Sequence, residues 1–382
     1  MNRKTIPVLL AFLCMGFGDA VGPFVGLAKE QFALSNFEAQ LIAFMGFIMF
    51  GLLSVPMGLF QDRRGKKVVL MLGLILALLG LIIPLFGLSS YALFLITILM
   101  LGAGAAILQV AGNPIMRDVS APGMYSRNLS FGQFIKAIGS LSGSLIPFAA
   151  AKWFGMTWEV LFPIYVASLL LTLVIIGFTR IEEVKADKTP ANFKSCFSLL
   201  KNPFILSMVL GIFIYVGIEI CISTGVPILL SSNYEIDLKT WGLLGNAFFF
   251  IAILTGRFLG SVILNWMKPS TFFRATVLLS LIGLLLIFVN IKAVTLAGIF
   301  ITGLGFANIF PLIFSITVDA LPERSNEISG LMITAIAGGA FIPPIMGLVA
   351  DKVSVLAGFV VPTIGLLYVI ILAFKKQAAS KY

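Results

Sequence analysis

RIEEVKADKTPANFKSCFSLLK, residues 180–201, is the longest polar stretch of this chain. On both sides of it, apolar runs of about 20 residues recur, and each is long enough to cross about 30 Å of hydrocarbon as a helix. Backbone polar groups must be satisfied inside a bilayer, so runs of this length indicate helices rather than the shorter strands of a barrel. The polar stretch therefore divides the chain into two apolar halves.

The composition agrees with a chain built from membrane spans. Of 382 residues, 59% are hydrophobic and only 11% are charged, whereas an ordinary soluble domain has about 25% charged residues. The first apolar run contains Asp19 and is not followed by a small-residue cleavage site, so we interpret it as a retained helix rather than a signal peptide. We predict an all-α membrane protein embedded in the lipid bilayer.

The apolar runs predict about twelve transmembrane helices, six on each side of the polar stretch. We expect an N-terminal six-helix bundle over residues 1–179, a cytoplasmic linker over 180–202 and a C-terminal six-helix bundle over 203–382. The predicted helices cover residues 5–28, 37–60, 68–87, 91–116, 127–150, 159–179, 203–230, 241–266, 272–290, 294–320, 327–350 and 354–374.

Lys and Arg are concentrated in the loops after even-numbered helices and in the C-terminal tail, whereas the opposite loops offer only isolated Lys residues. Cytoplasmic loops of membrane proteins carry such an excess. This bias accounts for the net charge of +10, which in a soluble protein would suggest nucleic acid, so no nucleic-acid partner is expected. We predict a multi-pass protein of the inner membrane with both termini in the cytoplasm.

The inventory of reactive side chains argues against an enzyme. The chain has no His, which is the commonest general base and metal ligand. Its three Cys residues show no pairing pattern, and no cluster of Cys or carboxylates has metal-ligand spacing. We therefore expect no metal, no cofactor and no catalytic site.

Several polar side chains fall inside apolar spans, where they are costly and usually face a cavity or one another. Residues 101–140 carry amides and a Lys on two successive helices. Amide side chains donate and accept hydrogen bonds, as the hydroxyls of a sugar require, although interhelical hydrogen bonding is the alternative for each of them. The candidate substrate contacts are Gln109, Asn113, Gln133, Lys136, Tyr215, Glu219, Asn246 and Asn308.

Two acids lie deep in apolar spans, Asp19 about 21 Å along its helix and Glu219 about 24 Å along its own. A buried carboxylate without a partner is easily protonated, whereas one paired with a cation stays ionised. Lys136 is the only Lys at such depth, so we expect it to pair with Asp19 or with Glu219. Breaking and remaking that pair would couple cation binding to a conformational change; a static structural ion pair is the alternative.

A weak internal repeat agrees with two related halves. A shift of about 200 residues brings Asp19 within one residue of Glu219. Such parallel six-helix halves resemble the major facilitator architecture, in which substrate binds at the midplane between the halves and access alternates by rocking. The same shift places Gly102, Gly104 and Asp118 on Gly303, Gly305 and Asp319.

GLFQDRRGKK, residues 58–67, resembles the major facilitator loop G-x-x-x-D-R-x-G-R/K-K between the second and third helices. Gly58, Asp62, Arg63 and Gly65 occupy its fixed positions. The resemblance implies a gate motif, in which the acid interacts with a neighbouring helix terminus or Arg and holds one conformation, while Gly permits the tight turn.

Further segments resemble the fucose/glucose/galactose permease subfamily over nearly the whole chain. They are QVAGNP (109–114), NLSFGQFIKAIG (128–139), FIYVGIE (213–219), GRFLGS (256–261) and NIFPLIFS (308–315), together with the first two spans. The resemblance implies uptake of a hexose or a related sugar by cation symport, with protons or alternatively with sodium. It assigns Asp19 as the acid that titrates during transport, and it assigns Gln109, Asn113 and Gln133 as sugar contacts.

Two positions depart from the subfamily pattern, since Gln109 stands where it has a Glu and Lys136 where it has an Asn. A buried ammonium can hold a carboxylate, so an acidic sugar such as a sialic acid or a uronate is an alternative substrate. A multidrug antiporter of the same fold is a further alternative. Arg257 is expected near the cytoplasmic end of its helix as a snorkelling or gate residue rather than a ligand. We expect a monomer.

Overall fold

The computed structural model describes residues 5–88, 90–119, 125–181, 183, 193–236, 243–321 and 324–375. Most of these residues are helical. The helices before the linker are α1 (Thr5–Asp19), α2 (Val21–Gln31), α3 (Asn36–Arg64), α4 (Lys66–Ile82), α5 (Tyr91–Asp118), α6 (Tyr125–Phe154) and α7 (Leu161–Phe178).

The second half begins with a short helix inside the predicted linker and continues with further apolar helices. Linker residues 182 and 184–192, and residues 241 and 242 of the eighth predicted helix, lie outside the described part. The helices are α8 (Phe193–Ser198), α9 (Pro203–Tyr234), α10 (Leu243–Ile263), α11 (Pro269–Phe288), α12 (Lys292–Phe306), α13 (Ile309–Ala320), α14 (Ser325–Thr334), α15 (Gly338–Lys352), α16 (Val355–Gly358) and α17 (Val360–Phe374).

The described helices cover all twelve predicted spans, several of which comprise two helices, and α8 lies in the linker. Ten are long and apolar enough to cross a membrane, and α1 with α2 forms one further span bent by 42°. The remaining span is α10, whose described apolar segment Ala247–Gly260 is shorter.

Several spans that we expected to be continuous α-helices are interrupted, among them the twelfth, where Phe359 separates α16 from α17. The first breaks after Asp19, and the tenth breaks at a turn between α12 and α13. Proline has no N–H, so Pro23 cannot bond the Asp19 carbonyl and Pro311 cannot bond the Ala307 carbonyl. The eleventh span contains a 3-10 turn, Ala335–Ala337, just before Gly338, where a Cβ would lie 1.7 Å from the Phe213 carbonyl oxygen.

Two apolar cores lie in the two halves. One consists almost entirely of side chains from α1 to α7, with Ile228 added from α9. The other consists mainly of side chains from α9 to α17, with Ala43, Phe47 and Phe50 added from α3 and a few more side chains added from α5 and α6. Each half therefore contributes side chains to the core of the other, along α3, α5, α6 and α9.

The halves meet mainly where α3 packs against α14 and α15, α6 against α10, and α2 against α9. We call the end of the bundle that carries Asn36 and Asp351 the distal end, because α3 runs from there towards the linker. At the distal end, Asp351 of α15 accepts hydrogen bonds from the Asn36 backbone N–H at 3.0 Å and from the Phe37 N–H at 2.9 Å. This contact joins the two halves at the distal end.

Candidate functional site

A cavity lies where the two halves meet. It is bordered by aromatic rings of α3, α10 and α13 and by polar side chains of both halves. From the N-terminal half, the polar lining residues are Asp19, Gln109, Gln133, Lys136 and Ser140; from the C-terminal half, they are Glu219, Ser223 and Arg257.

Asp19 and Lys136 form an ion pair on the wall of this cavity. The Lys136 Nζ atom lies 2.9 Å from Asp19 Oδ2. Ser140 Oγ donates to the same carboxylate oxygen at 3.3 Å. The sequence left open which acid Lys136 meets, and the ion pair in the described residues is with Asp19.

Glycines allow the close contact of helices that brings this pair together. A Cβ on Gly16 of α1 would lie 2.1 Å from the Lys136 carbonyl oxygen, and one on Gly139 of α6 would lie 2.2 Å from that of Leu13. Since real Cβ atoms do not approach so closely, α1 and α6 pack backbone to backbone at this point. The short separation between the helices carries Lys136 to Asp19.

Glu219 and Arg257 lie on the opposite wall, on α9 and α10. Arg257 is the strongest charged neighbour of Glu219, whose carboxyl also faces the Tyr215 hydroxyl. Arg257 Nη1 donates to the Gln133 carbonyl of the other half at 3.3 Å. The cavity thus contains two acids and two bases.

We expected Arg257 to be a snorkelling or gate residue rather than part of the site, but it lines the cavity. The cause is the break between α12 and α13. Pro311 leaves the Ala307 carbonyl without its helical donor, and Arg257 Nε donates to that carbonyl at 3.4 Å. The signal in the sequence was the proline four residues after Ala307, but nothing in the sequence places α10 beside it.

The predicted amide side chains do not all line the cavity. Gln109 and Gln133 line the cavity, whereas Asn113 is buried and is not among the lining residues. Asn308 is also away from the lining, and its Nδ2 donates to the Gly256 carbonyl at 2.7 Å, which is an interhelical hydrogen bond. The Asn246 side chain lies outside the described part of the chain.

Tyr215 packs inside the C-terminal half. Its hydroxyl donates to the Phe306 carbonyl at 2.8 Å, and its ring meets the Phe306 ring edge-on with centroids 5.6 Å apart. It is not among the residues that line the cavity. A stacking contact between Tyr215 and a sugar therefore has no support in this arrangement.

The predicted gate motif lies at the tight turn between α3 and α4. Gly65 has a φ of +93°, which favours glycine, while the Asp62 side chain lies outside the described residues. Glu183 of the linker, a residue that we did not predict, accepts the backbone N–H groups of Lys66 at 2.7 Å and Lys67 at 2.9 Å. This carboxylate caps the α4 N-terminus, where a negative charge is favourable.

Within the described residues, no group of three or more His, Cys, Asp or Glu side chains could hold a metal ion. The two acids of the cavity have a Lys and an Arg as their cationic neighbours. The charged groups of this site are therefore suited to binding a small polar molecule and to moving a proton.

Two helical halves with a charged cavity between them define a class of protein, the multi-pass membrane transporters. The model of the Major Facilitator Superfamily matches residues 8–342, and a second match covers residues 208–381. The chain belongs to the major facilitator superfamily.

Similar proteins of known name indicate the subfamily of this chain. The chain is 30% identical over 404 residues to a putative glucose/galactose transporter of Helicobacter pylori (strain J99), covering 95% of this chain and 94% of that protein. It is 25% identical over 394 residues to the L-fucose-proton symporter of Escherichia coli (strain K12), covering 92% and 88%. The resemblance to the fucose/glucose/galactose permeases is confirmed.

A solved structure agrees with the fold. The crystal structure of the E. coli fucose:proton symporter superposes with a TM-score of 0.71 at 22% identity, covering 98% of this chain and 100% of that one. The predicted fold class, an all-α membrane protein with the major facilitator fold, is confirmed.

Proposed function

We propose that this protein takes up a sugar, a hexose or a derivative, by proton symport through alternating access. One observation carries the proposal: an ion pair between Asp19 and Lys136, 2.9 Å long, lines a cavity between two halves beside the amides of Gln109 and Gln133. The names of the relatives, a putative glucose/galactose transporter and an L-fucose-proton symporter, support the substrate class and the coupling ion.

A neutral sugar suits the charges of the cavity. Lys136 is engaged by Asp19 at 2.9 Å, and Arg257 faces Glu219, so each cation already has an acid beside it. A carboxylate of an acidic sugar would have to displace one of these acids. Neutral hydroxyls instead find amides that both donate and accept, and the rings of Phe249, Phe250 and Phe310 offer apolar contact.

Proton coupling follows from the same ion pair. Protonation removes the charge of the Asp19 carboxylate, and the attraction for the Lys136 ammonium is lost with it. The pair joins α1 to α6, which are two helices of one half, so its loss changes the cavity wall at the place where sugar binds. Proton and sugar can then favour the same conformation, which is the requirement for symport.

We further propose that residues 1–179 and 203–382 rock against each other as two bundles joined by the linker of residues 180–202. The protein would function as a monomer in the inner membrane with both termini in the cytoplasm. The contact between Asp351 and α3 suits a state that is closed at the distal end. The gate motif and the Glu183 cap lie at the opposite end, where a second closure would occur.

The test is transport by the purified protein in liposomes with an imposed pH gradient. We expect labelled glucose, galactose or fucose to accumulate when the interior is alkaline, and a sodium gradient to have no effect. Accumulation that follows sodium alone would exclude proton coupling. Selective uptake of a sialic acid or a uronate would favour the acidic-sugar alternative, and extrusion of cationic drugs without sugar flux would favour the antiporter.

A further inference from the structure

Ser223 is a buried residue of the cavity whose hydroxyl lacks a partner. It lies on α9 one turn after Glu219, its exposed fraction is 1%, and its side chain lines the cavity. Among the described residues, its Oγ has no hydrogen-bond partner. A buried polar group without a partner is costly, so its retention needs an explanation.

Other hydroxyl groups on helices around the cavity donate hydrogen bonds to backbone carbonyls of their own helix. Thr224, the next residue of α9, donates to the Ile220 carbonyl at 2.8 Å, and Ser54 of α3 donates to the Phe50 carbonyl at 2.6 Å. This bond to the carbonyl four residues earlier is the usual solution for Ser and Thr in a helix. Ser223 does not use it, so its hydroxyl is left for a group outside the described protein atoms.

The backbone carbonyl of Ser223 also lacks its helical hydrogen-bond donor. Pro227 stands four residues later and has no N–H to give to the Ser223 carbonyl. On the other side, a Cβ on Gly22 of α2 would lie 2.0 Å from Ser223 Oγ. Ser223 therefore lies where α2 of one half touches α9 of the other, beside a glycine that leaves room for its hydroxyl.

We propose that Ser223 hydrogen-bonds a ring hydroxyl of the transported sugar. This assignment rests on the proposed function and deepens it. Gln109 and Gln133 hold the sugar from the N-terminal half and Ser223 holds it from the C-terminal half, so one bound molecule contacts both bundles. A sugar that bridges the halves stabilises the arrangement in which they are closed around it.

The test is the affinity of the purified transporter for the sugar that it accumulates, measured by calorimetry. Loss of one neutral hydrogen bond weakens binding by about three- to tenfold, so Ser223→Ala should raise Kd by this factor. Ser144→Ala is the matched control: Ser144 is buried, and its hydroxyl has no partner among the described residues, but it is not among the residues that line the cavity. Its Kd should equal that of the wild type.

A panel of monodeoxy analogues of the same sugar identifies the contact. For the wild type, one analogue should have a higher Kd than the parent sugar. For Ser223→Ala, the same analogue and the parent sugar should have equal Kd values. If Ser223→Ala leaves Kd unchanged, or if every analogue loses the same factor in both proteins, the assignment is wrong.

The same experiment separates this assignment from the proposed function. A wild-type protein that neither binds nor transports any sugar overturns the proposed function, and the Ser223 contact with it. Wild-type binding with an unchanged Ser223→Ala overturns only the contact. Because the Ser223 hydroxyl has no partner among the described residues, its removal should not lower the melting temperature of the sugar-free protein, so misfolding does not confound the result.

Discussion

Asp19 is the acid whose protonation we expect to drive accumulation. In Asp19→Asn the side chain is always neutral, so the Lys136 pair no longer depends on protons. We expect pH-driven accumulation in liposomes to be abolished, while exchange of labelled for unlabelled sugar across the membrane is retained, since exchange needs no net proton movement. Glu235→Gln, which changes an exposed acid after α9, should behave as the wild type. Full accumulation by Asp19→Asn would exclude Asp19 as the carrier.

Lys136 and Asp19 should be coupled in stability as well as in transport. Removing one partner of a buried ion pair costs about 3–5 kcal/mol. Because the Asp19 side chain has an exposed fraction of 22%, we expect the cost of Lys136→Asn to lie near the lower end of that range. The double variant Asp19→Asn with Lys136→Asn leaves no unpaired charge. We therefore expect its melting temperature to lie above the value that the two single variants predict by addition.

Simple additivity of the two melting-temperature shifts would show that the pair is not a stability element in the purified protein. Glu30→Gln combined with Lys136→Asn serves as a control, because Glu30 lies near the end of α2, eleven residues after Asp19, and is exposed. That combination should be additive.

The break between α12 and α13 positions Arg257, and Pro311 causes the break. Pro311→Ala restores an N–H that competes with Arg257 Nε for the Ala307 carbonyl. We expect sugar affinity and transport to fall while the melting temperature holds or rises, because the helix gains a backbone bond and the guanidinium loses an acceptor. Calorimetry and liposome uptake on the same preparation measure both effects.

Pro269→Ala is the control for this change. Pro269 is the first residue of α11, where a backbone N–H has no helical acceptor in any case. Its replacement should leave affinity unchanged. If Pro311→Ala also leaves affinity unchanged, the hydrogen bond from Arg257 to Ala307 does not position the site.

The distal end closes through a capping carboxylate that belongs to the other half. Asp351 accepts the Asn36 and Phe37 backbone N–H groups, and also Asn36 Nδ2 at 2.6 Å. Lys29 Nζ in turn donates to Asn36 Oδ1 at 2.6 Å. Loss of a helix cap costs about 0.5–2 kcal/mol, so Asp351→Ala should shift the population away from the closed distal end by about two- to thirtyfold.

Spin labels on the two halves measure that shift. Met156 and Val353 are 52% and 73% exposed, and the native Cys14, Cys196 and Cys221 are buried, so Cys introduced at those two positions should be labelled selectively. We expect the distance distribution to lengthen in Asp351→Ala and to stay unchanged in Lys352→Ala. An unchanged distribution in both would show that the cap does not hold the distal end closed.

The sequence alone was enough to predict the major facilitator fold and the subfamily. Apolar run length, charge asymmetry and the loop of residues 58–67 depend on the bilayer and on local chain chemistry, which act on a sequence directly. The same reasoning found Asp19, Gln109, Gln133, Lys136 and Glu219 as polar groups at membrane depth, and all five line the cavity.

Tertiary packing decided which polar groups meet. Lys136 meets Asp19 because glycines bring the α1 and α6 backbones together, and Arg257 reaches the cavity because a broken helix offers it a carbonyl. Asn308 forms an interhelical hydrogen bond and does not line the cavity. Hydropathy reports the depth of a residue in the membrane, but the direction in which its side chain points depends on contacts between helices distant in the chain, and only the folded structure contains those contacts.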